Sequence, residues 1–144
     1  MRQALREAQS AFKEDEVPVG AVVVFRGRII ARGHNQNERL KDPTAHAEML
    51  ALTAAASALD SKWLPGVSIY VTCEPCAMCA GALVLARIKH LYFGASDPKT
   101  GACGSVANIV NHKKLNHRIK AAGGILEEEC GSILKEFFKG KRKK

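Results

Sequence analysis

Residues 67–87 read Val67-Ser68-Ile69-Tyr70-Val71-Thr72-Cys73-Glu74-Pro75-Cys76-Ala77-Met78-Cys79-Ala80-Gly81-Ala82-Leu83-Val84-Leu85-Ala86-Arg87. Val67 to Thr72 is a short apolar run that predicts a strand. Pro75 ends the extended chain, and Cys76 to Arg87 is a small-residue segment that predicts a helix entered through that proline. The same alternation extends in both directions. Upstream, Arg2 to Lys13 sets Leu5, Ala8 and Phe12 on one helical face, Val17 to Phe25 and Arg28 to Arg32 read as a hairpin across Arg26-Gly27, and Thr44 to Leu59 reads as a helix started by Asp42-Pro43-Thr44. Downstream, Ile88 to Ala95 predicts a strand, Ser96 to Ser105 a loop, and Glu127 to Lys139 a helix with Cys130, Ile133, Leu134, Phe137 and Phe138 at helical spacing. Strands alternating with helices imply an α/β sandwich around one sheet, and 144 residues suit a single domain spanning 1–144.

Chemistry concentrates in two short segments, His46-Ala47-Glu48 and Pro75-Cys76-Ala77-Met78-Cys79, each at the start of a predicted helix. Cys76 and Cys79, three apart, share a helix face at its positive end, where thiolate is favoured over thiol. His46 with two cysteines makes three protein ligands for zinc; a closed structural site has four, so a position stays open for water, whose proton the ion makes easier to remove. In the first turn of its helix Glu48 can reach the same point as His46, where a carboxylate can take and return that proton. Cys73-x-x-Cys76 competes as the ligand pair, although Cys73 falls on the strand end as a pocket or core thiol. Cys103 and Cys130 read as buried small hydrophobes, and Gly101-x-x-Gly104 as a turn. His34, His90, His112 and His117 read as satisfied core or surface residues.

Five cysteines, three of them spaced by three, make a poor disulfide pattern and a better metal pattern. The opening residues carry Arg2, Arg6, Glu7, Lys13 and Glu14, so no signal-peptide core is present, and the apolar stretches fall far short of a membrane span. The expectation is a cytoplasmic protein in a reducing compartment. Net charge is +8, and residues 111–144 hold 10 basic and 4 acidic groups. The basic C-terminal quarter, closing in a tail at 139–144, fits a polyanionic partner or a solvated surface.

His-x-Glu followed by Pro-Cys-x-x-Cys is the signature of zinc deaminases. Over nearly its whole length the chain resembles the tRNA-specific adenosine deaminases of the TadA family. The resemblance runs through Glu16-Val17-Pro18-Val19-Gly20-Ala21-Val22, Asn35, Asp42 to Glu48, Thr72 to Cys76, Phe93-Gly94-Ala95, the Gly94 to Ser105 loop and Asn116-His117-Arg118. Cys73 departs from the Leu or Val often found there. The resemblance implies a cytidine-deaminase-like three-layer α/β/α sandwich with a five-stranded mixed sheet, assembled as a homodimer, that converts adenosine to inosine at the wobble position of a tRNA anticodon stem-loop. It implies one Zn2+ per chain on His46, Cys76 and Cys79, with zinc hydroxide attacking C6 and Glu48 shuttling protons. Asn35 and the Ala47 backbone would hold the flipped nucleoside, and Asp97 and Lys99 would contact flanking RNA. Two rivals remain: a zinc deaminase of free bases or nucleotides, which shares the metal site without needing the basic quarter, and an inactive RNA-binding subunit, which would need no Glu48.

Overall fold

The computed structural model describes residues 1–142. In chain order the elements are α1 (Arg2–Lys13), β1 (Gly20–Phe25), β2 (Arg28–His34), α2 (Asn37–Leu40), α3 (Ala47–Leu59), β3 (Ser68–Cys73), α4 (Ala77–Leu85), β4 (His90–Ala95), β5 (Lys120–Ala122) and α5 (Glu127–Arg142). The strands form one sheet in the order β2-β1-β3-β4-β5. β1 is antiparallel to both β2 and β3, whereas β3, β4 and β5 run parallel, so the sheet is mixed. A register shift between Val23 and Val24 marks a bulge in the β1–β2 hairpin.

Helices α1 and α5 lie together on one face, α1 over β1, β2 and β3 and α5 over β4 and β3; α3 covers β2 and β1 on the other face beside α4. Both faces of the central strands are therefore covered, which is why β1 opens as a continuous buried run rather than an alternating one. Ala21, Val23, Ile69, Val71, Leu91 and Phe93 of the sheet pack with Ala51, Ala55, Ala80 and Leu83 of α3 and α4 in the main core. A smaller cluster of Leu5, Ala95 and Cys130 joins α1, β4 and α5. Small residues set the layer spacing. A side chain at Gly33 on β2 would sit 2.6 Å from the Ala47 carbonyl oxygen and 2.9 Å from the Ala51 nitrogen, inside the backbone of α3.

Several boundaries differ from the sequence reading. β1 begins at Gly20, because Val17 to Val19 closes a tight turn in which the Val19 N–H donates to the Val17 carbonyl at 2.8 Å. α3 begins at Ala47 rather than Thr44. The Asp42 carboxylate accepts the Thr44 N–H and hydroxyl at 2.8 and 2.7 Å, so its capping chemistry goes into a turn ahead of the helix. α4 ends at Leu85, with Arg87 in the left-handed region, and β4 starts at His90. β5 is the fifth strand that the resemblance implies, but residue patterns do not locate it at Lys120–Ala122, because it is an exposed three-residue edge without a β-branched run. Among the described residues no helix is long and apolar enough to cross a membrane.

Candidate active site

The parallel pair β3–β4 is joined by α4, so the N-terminus of α4 opens at the carboxyl end of the sheet. The N-terminus of α3 meets it there. His46 and Cys76 are the residues immediately ahead of α3 and α4, both with extended backbone, and Cys79 lies one turn into α4. His46 Nδ1 stands 3.6 Å from Cys76 Sγ and 3.5 Å from Cys79 Sγ. Among the described residues these three are the only group of His, Cys, Asp or Glu whose ligand atoms cluster, all within 4.8 Å. Two Zn–S bonds and one Zn–N bond in a tetrahedral shell would set sulfur and nitrogen about 3.5 Å apart, so the donor set fits such an ion.

The electrostatics point the same way. Hydrogen bonds from Cys79 and then His46 bring the pKa of the Cys76 thiol down to about 3, which favours the thiolate form that a metal needs. The Cys79 thiol is pushed up by its bond to Cys76 and by burial. The His46 pKa is raised, chiefly by its hydrogen bond to Cys76.

Glu48, 4% exposed, is the second residue of α3 and faces the same cavity; burial raises its pKa. The cavity measures about 410 Å³ and is lined by Asn35, His46, Glu48, Cys73 and Cys76 at the metal-ligand end and by Asp97, Pro98, Thr100 and the α5 side chains Leu134 and Phe138 toward the mouth. That volume suits one small molecule.

The structure brings His46, Glu48, Cys76, Asn35 and Asp97 to one cavity, with Cys79 buried behind it. Ala47 and Lys99 fall elsewhere. Ala47 is fully buried, and its N–H already donates to Asn35 Oδ1 at 2.8 Å, which fixes Asn35 and leaves the Asn35 NH2 for a ligand. Lys99 is exposed and does not line the cavity. The loop amides are also committed: Asp97 N–H to Glu74, Lys99 and Thr100 N–H to Asp97. Cys73 lines the cavity without joining the cluster, and burial pushes its thiol up to about 12.

Two buried carboxylates were missed as site residues. Glu16 accepts the N–H groups of Glu38 and Arg39, at 3.0 and 2.8 Å, and so holds α2 and Asn37 at the cavity wall. Glu74 gathers the 97–105 loop. The signal for both was an acidic residue inside or beside an apolar strand run. Leu134 and Phe138, read as core spacing, line the cavity. His34 bonds Glu7 and Glu14, and His117 bonds the Ile88 carbonyl, as satisfied residues.

The model of the MafB19-like deaminases matches residues 1–142. A tRNA-specific adenosine deaminase of Bacillus subtilis is 48% identical over all of this chain and 89% of its own length, and one of Aquifex aeolicus is 52% identical over 96% and 91%. A solved tRNA:A34 deaminase, studied for A-to-I editing at the wobble position of transfer RNA, is 47% identical and superposes with a TM-score of 0.90 over 93% of this chain and 97% of its own. The guanine deaminase of Nitrosomonas europaea superposes at 0.82 with 26% identity, over 94% of this chain and 81% of its own.

Proposed function

The chain belongs to the MafB19-like deaminases and within them to the tRNA-specific adenosine deaminases, and from that premise we propose how its cavity works. The protein deaminates adenosine to inosine at the wobble position of tRNA. Water adds its oxygen to C6 of the adenine, the C6–N bond breaks, and ammonia leaves. His46, Cys76 and Cys79 would hold one Zn2+, which when bound would supply Lewis acidity that makes a water easier to deprotonate near neutral pH. Glu48 takes one proton from the attacking water and places it on a ring nitrogen, then takes the second from the new C6 hydroxyl and gives it to the amino group, which leaves as ammonia while the C6 carbonyl forms; a carboxyl with a raised pKa is suited to both receiving and returning protons. Asn35, fixed through its carbonyl by Ala47, offers its NH2 to the base. Asp97 keeps the mouth of the cavity in shape, and Lys99 supplies charge outside it for an RNA phosphate. An anticodon loop presents unpaired bases, so turning one out into a cavity is cheap.

The observation that carries this reading is the convergence of three metal-ligating side chains and one buried carboxylate on a single cavity. Residues 1–144 act as one domain in this reading, in the cytoplasm where tRNA is processed. A second copy of the chain covers the outer side of α3 and α4, where Leu85 is 77% exposed beside Trp63, Ala82 and Ala86. Light scattering at micromolar concentration should return twice the chain mass.

The substrate test compares specificity constants for an anticodon stem-loop with wobble adenosine, the same loop with cytidine, free adenosine and free guanine. The adenosine loop should be fastest, because flanking RNA supplies binding energy that a free base lacks. Free guanine outrunning it would overturn the tRNA reading in favour of a free-base deaminase.

A further inference from the structure

We propose that Glu74 is a positioning residue that holds the 97–105 segment as a prefolded lip for RNA at the mouth of the cavity; this rests on the tRNA-deaminase reading above. Glu74 sits at the bend between the end of β3 and Pro75-Cys76, 3% exposed. Its Oε1 accepts the Asp97 N–H at 3.0 Å and the Ser105 hydroxyl; its Oε2 accepts the Cys103 N–H at 3.0 Å and the Ser105 N–H at 3.1 Å. Two oxygens thus collect four donors from both ends of one loop. No ion pair to Glu74 is present among the described residues, so its charge is balanced by these dipoles alone.

Backbone bonds brace the middle of the loop: the Gly101 N–H donates to the Asp97 carbonyl at 2.9 Å, the Gly104 N–H to the Ala107 carbonyl at 2.9 Å and the Ile109 N–H to the Ala102 carbonyl at 2.9 Å, while Glu74 is the side chain that ties its two ends together. The Ala102 N–H donates to the Pro75 carbonyl at 2.8 Å, and isolated bridges join Cys76 to Gly101 and Cys103 to Asn108. Any side chain at Gly101 would run into the Glu74 carboxylate, so the close approach is built into the sequence. Asp97 repeats the device at smaller scale. Anchored through its N–H by Glu74, it turns its carboxylate on the Lys99 N–H at 3.0 Å, the Thr100 N–H at 3.2 Å and the Thr100 hydroxyl at 2.7 Å. Asp97, Pro98 and Thr100 then line the cavity. The chain of support runs from Glu74 through Asp97 to the lip, and a strand of RNA meets a surface whose ordering cost was met on folding.

A carboxylate is required because it is an acceptor at both oxygens; Gln puts an NH2 donor against two N–H groups or against one N–H and the hydroxyl. Cys76 caps α4, its carbonyl accepting the Ala80 N–H at 2.8 Å, and its bridge to Gly101 does not involve the Glu74 carboxylate, so the ligand set should survive the change. The test uses zinc-loaded parent, Glu74→Gln and Ser105→Ala proteins. In Glu74→Gln, KM for the wobble-adenosine stem-loop should rise about tenfold or more with kcat within about threefold, as loss of a preordered binding surface requires. Zinc should stay at one per chain. Backbone amides of Asp97, Cys103 and Ser105 should exchange at least about tenfold faster while those of α4 stay protected. Ser105→Ala, an exposed position that loses one hydroxyl donor, should shift KM and exchange the same way by a smaller factor, and it decides the matter if Glu74→Gln does not fold. Unchanged exchange in the loop, a fall in kcat at constant KM, or loss of zinc and α4 protection together with the lip would each overturn the proposal. The exchange arm needs no turnover, so a parent that fails to deaminate the stem-loop would sink the function and leave this arm to decide on Glu74.

Discussion

Glu48 and the three cluster residues are the positions where a single atom changes the outcome. Burying a carboxylate is costly unless something repays it; here burial raises the pKa of a group that must both receive and return a proton. Glu48→Ala should keep its zinc and its fold and lose about 10²–10⁴-fold in kcat, the usual contribution of a positioned acid–base group. Activity within tenfold of the parent would remove Glu48 from the mechanism. The cysteines divide by geometry. Cys76 and Cys79 face His46 Nδ1, whereas Cys73 lies outside the cluster with its thiol at about 12. Cys76→Ser or Cys79→Ser should abolish stoichiometric zinc, since a hydroxyl replaces thiolate poorly, and Cys73→Ser should retain one zinc per chain by metal analysis. Zinc lost with Cys73 would mean that the cluster uses a different pair.

At the scale of elements, placement of the first turn of α3 depends on how closely the helix lies on β2. Gly33→Ala drives a methyl into the Ala47–Ala51 backbone, so α3 must lift and carry Glu48 with it. Overpacking of this kind costs about 1–3 kcal/mol, and kcat should fall with stability; a variant as stable and active as the parent would show that the layers can part without consequence. On the other face, Phe12 of α1 meets Phe137 of α5 edge-on, with centroids 5.9 Å apart. The loop has a pH signature. Burial pushes the Asp97 carboxyl up, but the Thr100 hydroxyl and the Lys99 and Thr100 N–H groups outweigh it and hold it below its ordinary value of 3.8. A group with a lowered folded pKa stabilises the native state above the ordinary value and loses that contribution as pH falls through the folded one. The Tm difference between parent and Asp97→Asn should therefore stay constant from about pH 7 to 5 and shrink below about pH 4. A difference that widens on acidification would contradict the assigned bonds.

Over the whole molecule, a net charge of +8 makes RNA affinity depend on salt. The basic tail contributes less than its four closing charges suggest. Lys141 Nζ pairs with Asp15 at 2.7 Å and stands 5.5 Å from the Phe137 ring centre, so it already has an anion and a surface to cover. Lys143 and Lys144 lie outside the described residues. Removing 141–144 should flatten the slope of log Kd against log salt by at most about 2, from three cations at ~0.7 each, with kcat at saturating RNA unchanged. An unchanged slope would make the tail a solvated surface.

Local patterns in the sequence determined the α/β alternation, the hairpin at Arg26-Gly27 and the two helices that carry His46-x-Glu48 and Cys76-x-x-Cys79 at or beside their first turns. These depend on neighbours within a few residues: a proline ahead of a small-residue helix, apolar periodicity, ligand spacing within one turn. Only the tertiary structure decided which residues close the cavity. β5 is three exposed residues whose strand character comes from pairing with β4, and α3 starts at Ala47 because Asn35, twelve residues upstream, accepts its first N–H. Glu16 and Glu74 read as ordinary acids beside apolar runs until folding brings them backbone N–H groups from 22 to 31 residues away. Hydrogen-bond partners at that separation leave no periodicity in the chain; they are chosen by how the layers pack.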